Sequence, residues 1–216
     1  MRTPLRLIGA LAAALVLAAG CTEDPLASPS ESTGGLKPTA AAGSVSTALA
    51  SLKIADARPM TGYSRDRFPH WRSAGTGCDV RDKVLQRDGK NVKLTGCNVT
   101  GGTWVSWYDD TTQTELTKVD IDHMVPLANA WRSGADKWTD EQRSDFANDM
   151  ERPQLFAVSA SSNRSKGDQD PSTWKPPSQD AWCVYAQDWI TVKAYYKLTI
   201  TAKEKDALST MLKTCA

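Results

Sequence analysis

The sequence predicts an α+β domain of short antiparallel strands with flanking helices, and three stretches carry that expectation. Residues 116–124 alternate, with Leu116, Lys118, Asp120 and Asp122 on one side and Thr117, Val119, Ile121 and His123 on the other, which is the period of a strand. Residues 92–95 and 103–108 flank Gly101-Gly102 and read as an antiparallel pair turning there. Trp182, Tyr185, Trp189 and Val192 make one stripe of a helix over 182–196.

The 216 residues fit one ordinary domain with a real core, and eight Trp argue against disorder for most of the chain. Arg2 and Arg6 precede an apolar run over 7–19, so residues 1–20 read as an export signal; the run is too short to span a bilayer, which takes roughly 20 apolar residues. Ala18, Ala19 and Gly20 before Cys21 resemble a bacterial lipobox, although Ala18 departs from the commoner Leu. That resemblance implies lipidation of Cys21 and anchoring on the outer face of the cell membrane, with plain secretion as the alternative. Residues 21–53 are rich in Ser, Thr, Ala, Gly and Pro and read as a flexible tether, and the domain is expected over 54–216.

Within the domain, Tyr63, Phe68 and Trp71 are the first large core candidates. Residues 78–87 read as a short helix ended by Asp88-Gly89. The strand over 116–124 ends at Pro126, residues 127–133 look helical, and Gly134 stops them. Thr139 with Gln142 makes a capping box for a helix through Met150. A short apolar stretch over 155–158 follows, and Ser161 or Ser162 caps a helix or turn carrying Asn163 and Lys166. Residues 203–212 form the last helix.

Setting Cys21 aside leaves Cys78, Cys97, Cys183 and Cys215, an even number that reads as two disulfides in an exported chain. Three pairings are open, and nearness favours Cys78 with Cys97 and Cys183 with Cys215. None lies in a CxxC pair, which argues against structural zinc. Over 56–216, 22 basic residues balance 22 acidic ones once Arg2, Arg6, Lys37, Lys53, Glu23, Asp24 and Glu31 are set aside. A neutral domain has no broad basic face, so any nucleic-acid footprint must be local.

Two segments concentrate chemistry. Asp120-Ile121-Asp122-His123-Met124-Val125-Pro126 places two carboxylates and one of two histidines at a strand end, a combination that suits metal-assisted hydrolysis: carboxylate oxygen for a hard cation, imidazole to take a proton from water. Further on, Asn163 offers a neutral oxygen ligand, and Arg164 and Lys166 follow closely enough to hold phosphate oxygens. Either segment alone also suits a solvated strand end or a polar surface loop.

Together, Asp122-His123-Met124-Val125-Pro126 and Asn163-Arg164-Ser165-Lys166-Gly167 resemble the HNH endonucleases, the ββα-metal nucleases, and in particular small exported actinobacterial HNH proteins related to the DUF1524 group. The resemblance implies a ββα-metal core, His123 as general base, Asp122 and Asn163 as metal ligands, and Asp120 as an extra carboxylate. The family's central Asn, which braces the loop presenting the catalytic His, falls near Gln154 here, and Asn163 stands where the last His would be. The implied activity is metal-dependent endonuclease cleavage outside the cytoplasm with little sequence specificity. Mg²⁺ is the first choice of cation and Mn²⁺ the second, DNA comes before RNA as substrate, and no protein partner is expected. The rivals are a non-catalytic surface lipoprotein keeping the fold as a binding module, and a metal phosphodiesterase acting on non-nucleic substrates.

Overall fold

The computed structural model describes residues 42–215. The expected signal peptide, Cys21 and the first part of the tether lie outside the described residues. The rest of the tether is not a tether: Ala42–Ser51 forms a helix, α1, packed against a C-terminal helix, α6 (Trp182–Tyr195). Val45, Leu49 and Leu52 recur at i, i+4 and i+7 and are buried in the main core. Three apolar residues at helical spacing outweigh a segment composition otherwise poor in large apolar groups, because a partner helix is there to receive them.

Helix α2 (Val80–Asp88) is opened by a capping box in which Asp79 and Asp82 satisfy each other's backbone amides. A three-stranded antiparallel sheet follows: β1 (Lys90–Thr95), β2 (Asn98–Ser106) and β3 (Thr111–Gln113). The expected turn at Gly101-Gly102 is corrected. The chain reverses at Gly96-Cys97, with Thr95 opposite Asn98 and Gly96 at φ +61°. The glycine pair sits inside β2, where a side chain on Gly102 would come within 2.7 Å of the Trp104 ring. A glycine pair thus marks close approach by a buried aromatic as readily as it marks a turn.

The second sheet carries the Asp120-to-His123 segment. Strand β4 (Val119–His123) pairs antiparallel with β5 (Leu155–Ser159), with Asp122 opposite Phe156 and His123 opposite Leu155. The strand expected over 116–124 is shorter, since 116–118 form a 3-10 turn. Between the strands lie α3 (Leu127–Arg132) and α4 (Asp140–Ala147), the latter opened by Thr139 and Gln142 as expected but ending at Ala147. β5 runs directly into α5 (Ala160–Lys166), capped by Ser159 and not by the serines beyond it. Helix α7 (Ala202–Leu212) closes the chain.

The β4–β5 pair is buried on both faces. Val119, Ile121, Leu155 and Ala157 join Val80, Val84, Leu85 and Trp104 in a small core on one side. Phe156 and Val158 face the main core, built around Tyr185, Trp189 and Val192 of α6. Strand alternation therefore sends Asp122 toward the main core and His123 toward the small one.

Both favoured cysteine pairs are formed, with Cα–Cα distances of 5.2 Å for Cys78–Cys97 and 4.9 Å for Cys183–Cys215. The second closes a separation of 32 residues between α6 and the tail. Loop-closure entropy gives such a bridge about 3–4 kcal/mol. A Cys183→Ser/Cys215→Ser double variant is expected to lose about that much in urea unfolding, with a somewhat steeper denaturant slope because the uncrosslinked unfolded chain exposes more surface.

Candidate active site

His123 closes β4 and is buried, at 4% exposure. Its Nε2 lies 2.9 Å from the Ala147 carbonyl oxygen, which can only accept, so Nε2 carries the proton and Nδ1 is left with a free lone pair. Trp71 stacks on the ring at a centroid distance of 5.7 Å and 29°. Burial, more than the Ala147 hydrogen bond that opposes it, holds the His123 pKa down at about 3, so the ring is neutral at pH 7.

Asp122 points the other way and is just as buried. Its Oδ2 accepts from the Tyr108 hydroxyl at 2.6 Å, and Lys166 Nζ lies 3.0 Å from Oδ1 and 2.8 Å from Oδ2. The same ammonium donates to the His123 carbonyl at 2.8 Å. Lys166 is fully buried. The expectation that it holds substrate phosphate is therefore corrected: it is the buried counter-ion of Asp122. On α5 Lys166 is buried one turn after buried Ser162, whereas Asn163, on the adjoining flank, is half-buried in the cavity wall.

Asn163 Nδ2 donates to Asp120 Oδ2 at 3.1 Å, which leaves the amide oxygen turned elsewhere. Arg164 Nε is 3.4 Å from the same Asp120 oxygen, and its side chain is 71% exposed. Asp122, His123, Asn163 and Arg164 line one cavity of about 300 Å³, whose wall also includes Tyr63, Arg65 and Asp168. α5 is anchored there by Asp109, which accepts from the hydroxyls of Ser159 and Ser162.

The loop leaving His123 is clamped by Gln154. Its Oε1 accepts from Val125 N–H at 3.1 Å, its Nε2 donates to Val125 C=O at 3.0 Å, and its own carbonyl accepts from Met124 N–H at 2.7 Å. Gln154, Met124 and Val125 are fully buried. Gln154→Ala leaves both Val125 backbone groups without partners in the interior, at about 1–3 kcal/mol each. The expected result is a stability loss of about 2–4 kcal/mol in chemical denaturation, with a fall in any activity that depends on the position of His123.

Among the described residues, no group of three or more His, Cys, Asp or Glu is placed to hold a metal. A closed structural site is thus not built, but an open one is compatible with the donors present. Asp122 and Asn163 bring a carboxylate and an amide to one cavity, and Mg²⁺ is commonly held by one or two carboxylates with water and phosphate in its remaining positions. Asp122 already accepts from Tyr108 and Lys166, yet a carboxylate offers about four acceptor directions.

Several neighbours escaped the sequence reading. Tyr108 ended a strand without visible purpose, and Ala147 contributes only a backbone oxygen that no side-chain pattern announces. Trp71 and Tyr63 were read as core, which they are in part. His70, the second histidine, bonds Phe68 C=O through Nδ1 at 2.9 Å, and its ring centroid lies 6.4 Å from that of His123.

Comparison with known proteins places these residues in context. The family model for the C-terminal domain of GmrSD restriction endonucleases matches residues 81–211, which contain every site residue named above except Tyr63, Arg65, His70 and Trp71. An "Uncharacterized secreted protein" from Arthroderma benhamiae is 52% identical over 168 residues, covering 77% of this chain and 82% of the relative. No solved structure matches the chain.

Proposed function

The chain belongs to the family of the C-terminal domain of GmrSD restriction endonucleases, and from that membership we propose that it is an HNH-type nuclease, hydrolysing phosphodiester bonds with His123 as general base. One observation carries the reading. A neutral imidazole, its tautomer fixed by a backbone carbonyl, meets a carboxylate and an amide from two different elements in one cavity. The strand–loop–strand–helix order of β4, β5 and α5 fits a ββα-metal core.

In this reading His123 Nδ1 takes the proton of the attacking water. Asp122 and Asn163 would hold a divalent cation, Mg²⁺ before Mn²⁺, whose charge supports the scissile phosphate and the leaving oxygen. Lys166 and Tyr108 fix the Asp122 carboxylate, Gln154 fixes the turn after His123, and Asp120 orients Asn163 and Arg164. A balanced domain charge supports sequence-independent cutting, and membership in a restriction-endonuclease family supports DNA before RNA.

We place the protein outside the cytoplasm, with residues 1–20 as signal peptide, Cys21 as the lipidation site, a tether reaching to about residue 41 and the nuclease domain from there on. The secreted relative supports export. Among the described residues, no helix is long and apolar enough to cross a membrane. A substrate panel tests the activity: with Mg²⁺ present, DNA and RNA are expected to be cut faster than an aryl phosphodiester. Turnover of the aryl ester alone would assign the site to another phosphodiesterase.

A further inference from the structure

With Lys166 buried against Asp122, a substrate phosphate needs another cation, one that faces solvent. Of the basic groups around the cavity, Lys166 is engaged by Asp122, Arg132 by Asp168 at 3.1 Å, and Arg164 lies 3.4 Å from Asp120. Arg65 lines the same cavity as Asp122, His123 and Asn163, is exposed, and forms no ion pair among the described residues. Even its neighbour Asp66 does not pair with it.

An exposed arginine is ordinary; one whose backbone is fixed at the rim of a cleft is not. Arg65 stands on a 3-10 turn, Arg65–Arg67, closed by Phe68 N–H donating to Arg65 C=O at 3.0 Å. Phe68 is fully buried, with its ring against Trp131 and Phe146. Arg67, two residues on, lies over the Trp131 ring at 4.9 Å and donates to Gly62 C=O at 3.3 Å. The turn is thus pinned from one side by an aromatic cluster. The Arg65 guanidinium is close enough for its charge to act on both His123 and Tyr63.

We propose that Arg65 is a substrate-binding residue of this site: together with Arg164 it takes a nucleic-acid backbone phosphate, at or beside the scissile bond. This rests on the nuclease reading above. Guanidinium suits the task because its planar fork donates two parallel hydrogen bonds to phosphate oxygens and never loses its charge. The domain as a whole is neutral, so attraction for the polyanion comes from these two side chains at the point where it is needed. Arg65 precedes the stretch matched by the family model, which starts at residue 81. The segment ahead of that stretch therefore supplies part of the substrate site, and not merely a brace for it.

The test uses the full chain carrying His123→Ala, so that bound DNA stays intact, and follows a short fluorescein-labelled DNA oligonucleotide by anisotropy across a salt series in Mg²⁺. Arg65→Gln is expected to weaken binding roughly tenfold at low salt, the scale of one charge-assisted hydrogen-bonded contact. It should also flatten the slope of log affinity against log salt by about 1. Arg65→Lys should keep the slope but not the full affinity, and Lys203→Gln, on exposed α7 surface, should change neither. With His123 restored, Arg65→Gln should raise KM more than it lowers kcat. If the parent binds and Arg65→Gln binds with the same affinity and slope, the proposal is overturned and the nuclease reading stands. If the wild-type protein cuts no nucleic acid and the His123→Ala parent binds none, both fall together.

Discussion

His123→Ala is expected to slow single-turnover cleavage of DNA by about 10²- to 10⁴-fold, the usual contribution of a positioned general base. The geometry makes the imidazole hard to replace. Its Nε2–H is held by Ala147 C=O, its ring is stacked on Trp71, and burial keeps it unprotonated. Removing it deletes the proton acceptor without touching Asp122, Asn163 or the arginines, so oligonucleotide affinity should change by no more than a few fold. The loss should therefore fall on the chemical step, and a single-turnover rate paired with a binding isotherm separates the two. Equal rates for wild type and variant, with both folded by circular dichroism, would remove His123 from the chemistry.

The second large effect is on stability and falls on Lys166. Lys166→Met keeps the bulk of the aliphatic stem but strips Asp122 of its counter-ion in a place where the lysine sees no solvent and the carboxylate almost none. Breaking one side of a buried pair typically costs about 3–5 kcal/mol, because the remaining charge is left uncompensated. The His123 carbonyl loses its donor at the same time. Tyr108 still donates to Asp122, which limits the damage but cannot neutralise the charge. Burial pulls the proton affinity of Lys166 down and the Asp122 carboxylate offsets that only in part, so the lysine depends on Asp122 for its charged form. Adding Asp122→Asn to Lys166→Met should recover part of the loss, since the orphan charge then disappears. Urea unfolding of the four members of this cycle measures the coupling. Additive losses would show that the pair contributes nothing as a pair.

What the sequence discloses and what it hides divides along a physical line. The core of strand β4, the capping box at Thr139 and the stripe of α6 are written in local sequence and form as expected, although the strand gives up residues 116–118 to a 3-10 turn. Nearness along the chain also favoured the two disulfide pairs that form. The misses are places where a distant element decides. Val45, Leu49 and Leu52 become core only because α6 offers a surface. Gly102 is glycine because the Trp104 ring lies against it, so a pair that looks like a turn sits inside a strand.

The site follows the same division. Asp122, His123, Asn163 and Arg164 were legible as a set and share one cavity. Gln154 was expected at the turn after His123 and makes both side-chain hydrogen bonds there. Lys166 was misread because residue type and spacing do not reveal which side of a short helix faces inward. Arg65 went unseen because it stands 58 positions before His123 in a segment with no chemical pattern of its own.

Metal-dependent hydrolysis of nucleic acid at the His123 cavity is open to a plasmid-nicking assay. Supercoiled DNA incubated with the purified protein in Mg²⁺ is expected to relax and then linearise. Excess chelator should stop the reaction and added Mg²⁺ or Mn²⁺ should restore it, while the His123→Ala protein should leave the plasmid intact over the same period. Cleavage that continues unchanged in chelator, or proceeds equally with His123→Ala, would rule out a metal-dependent nuclease working through His123.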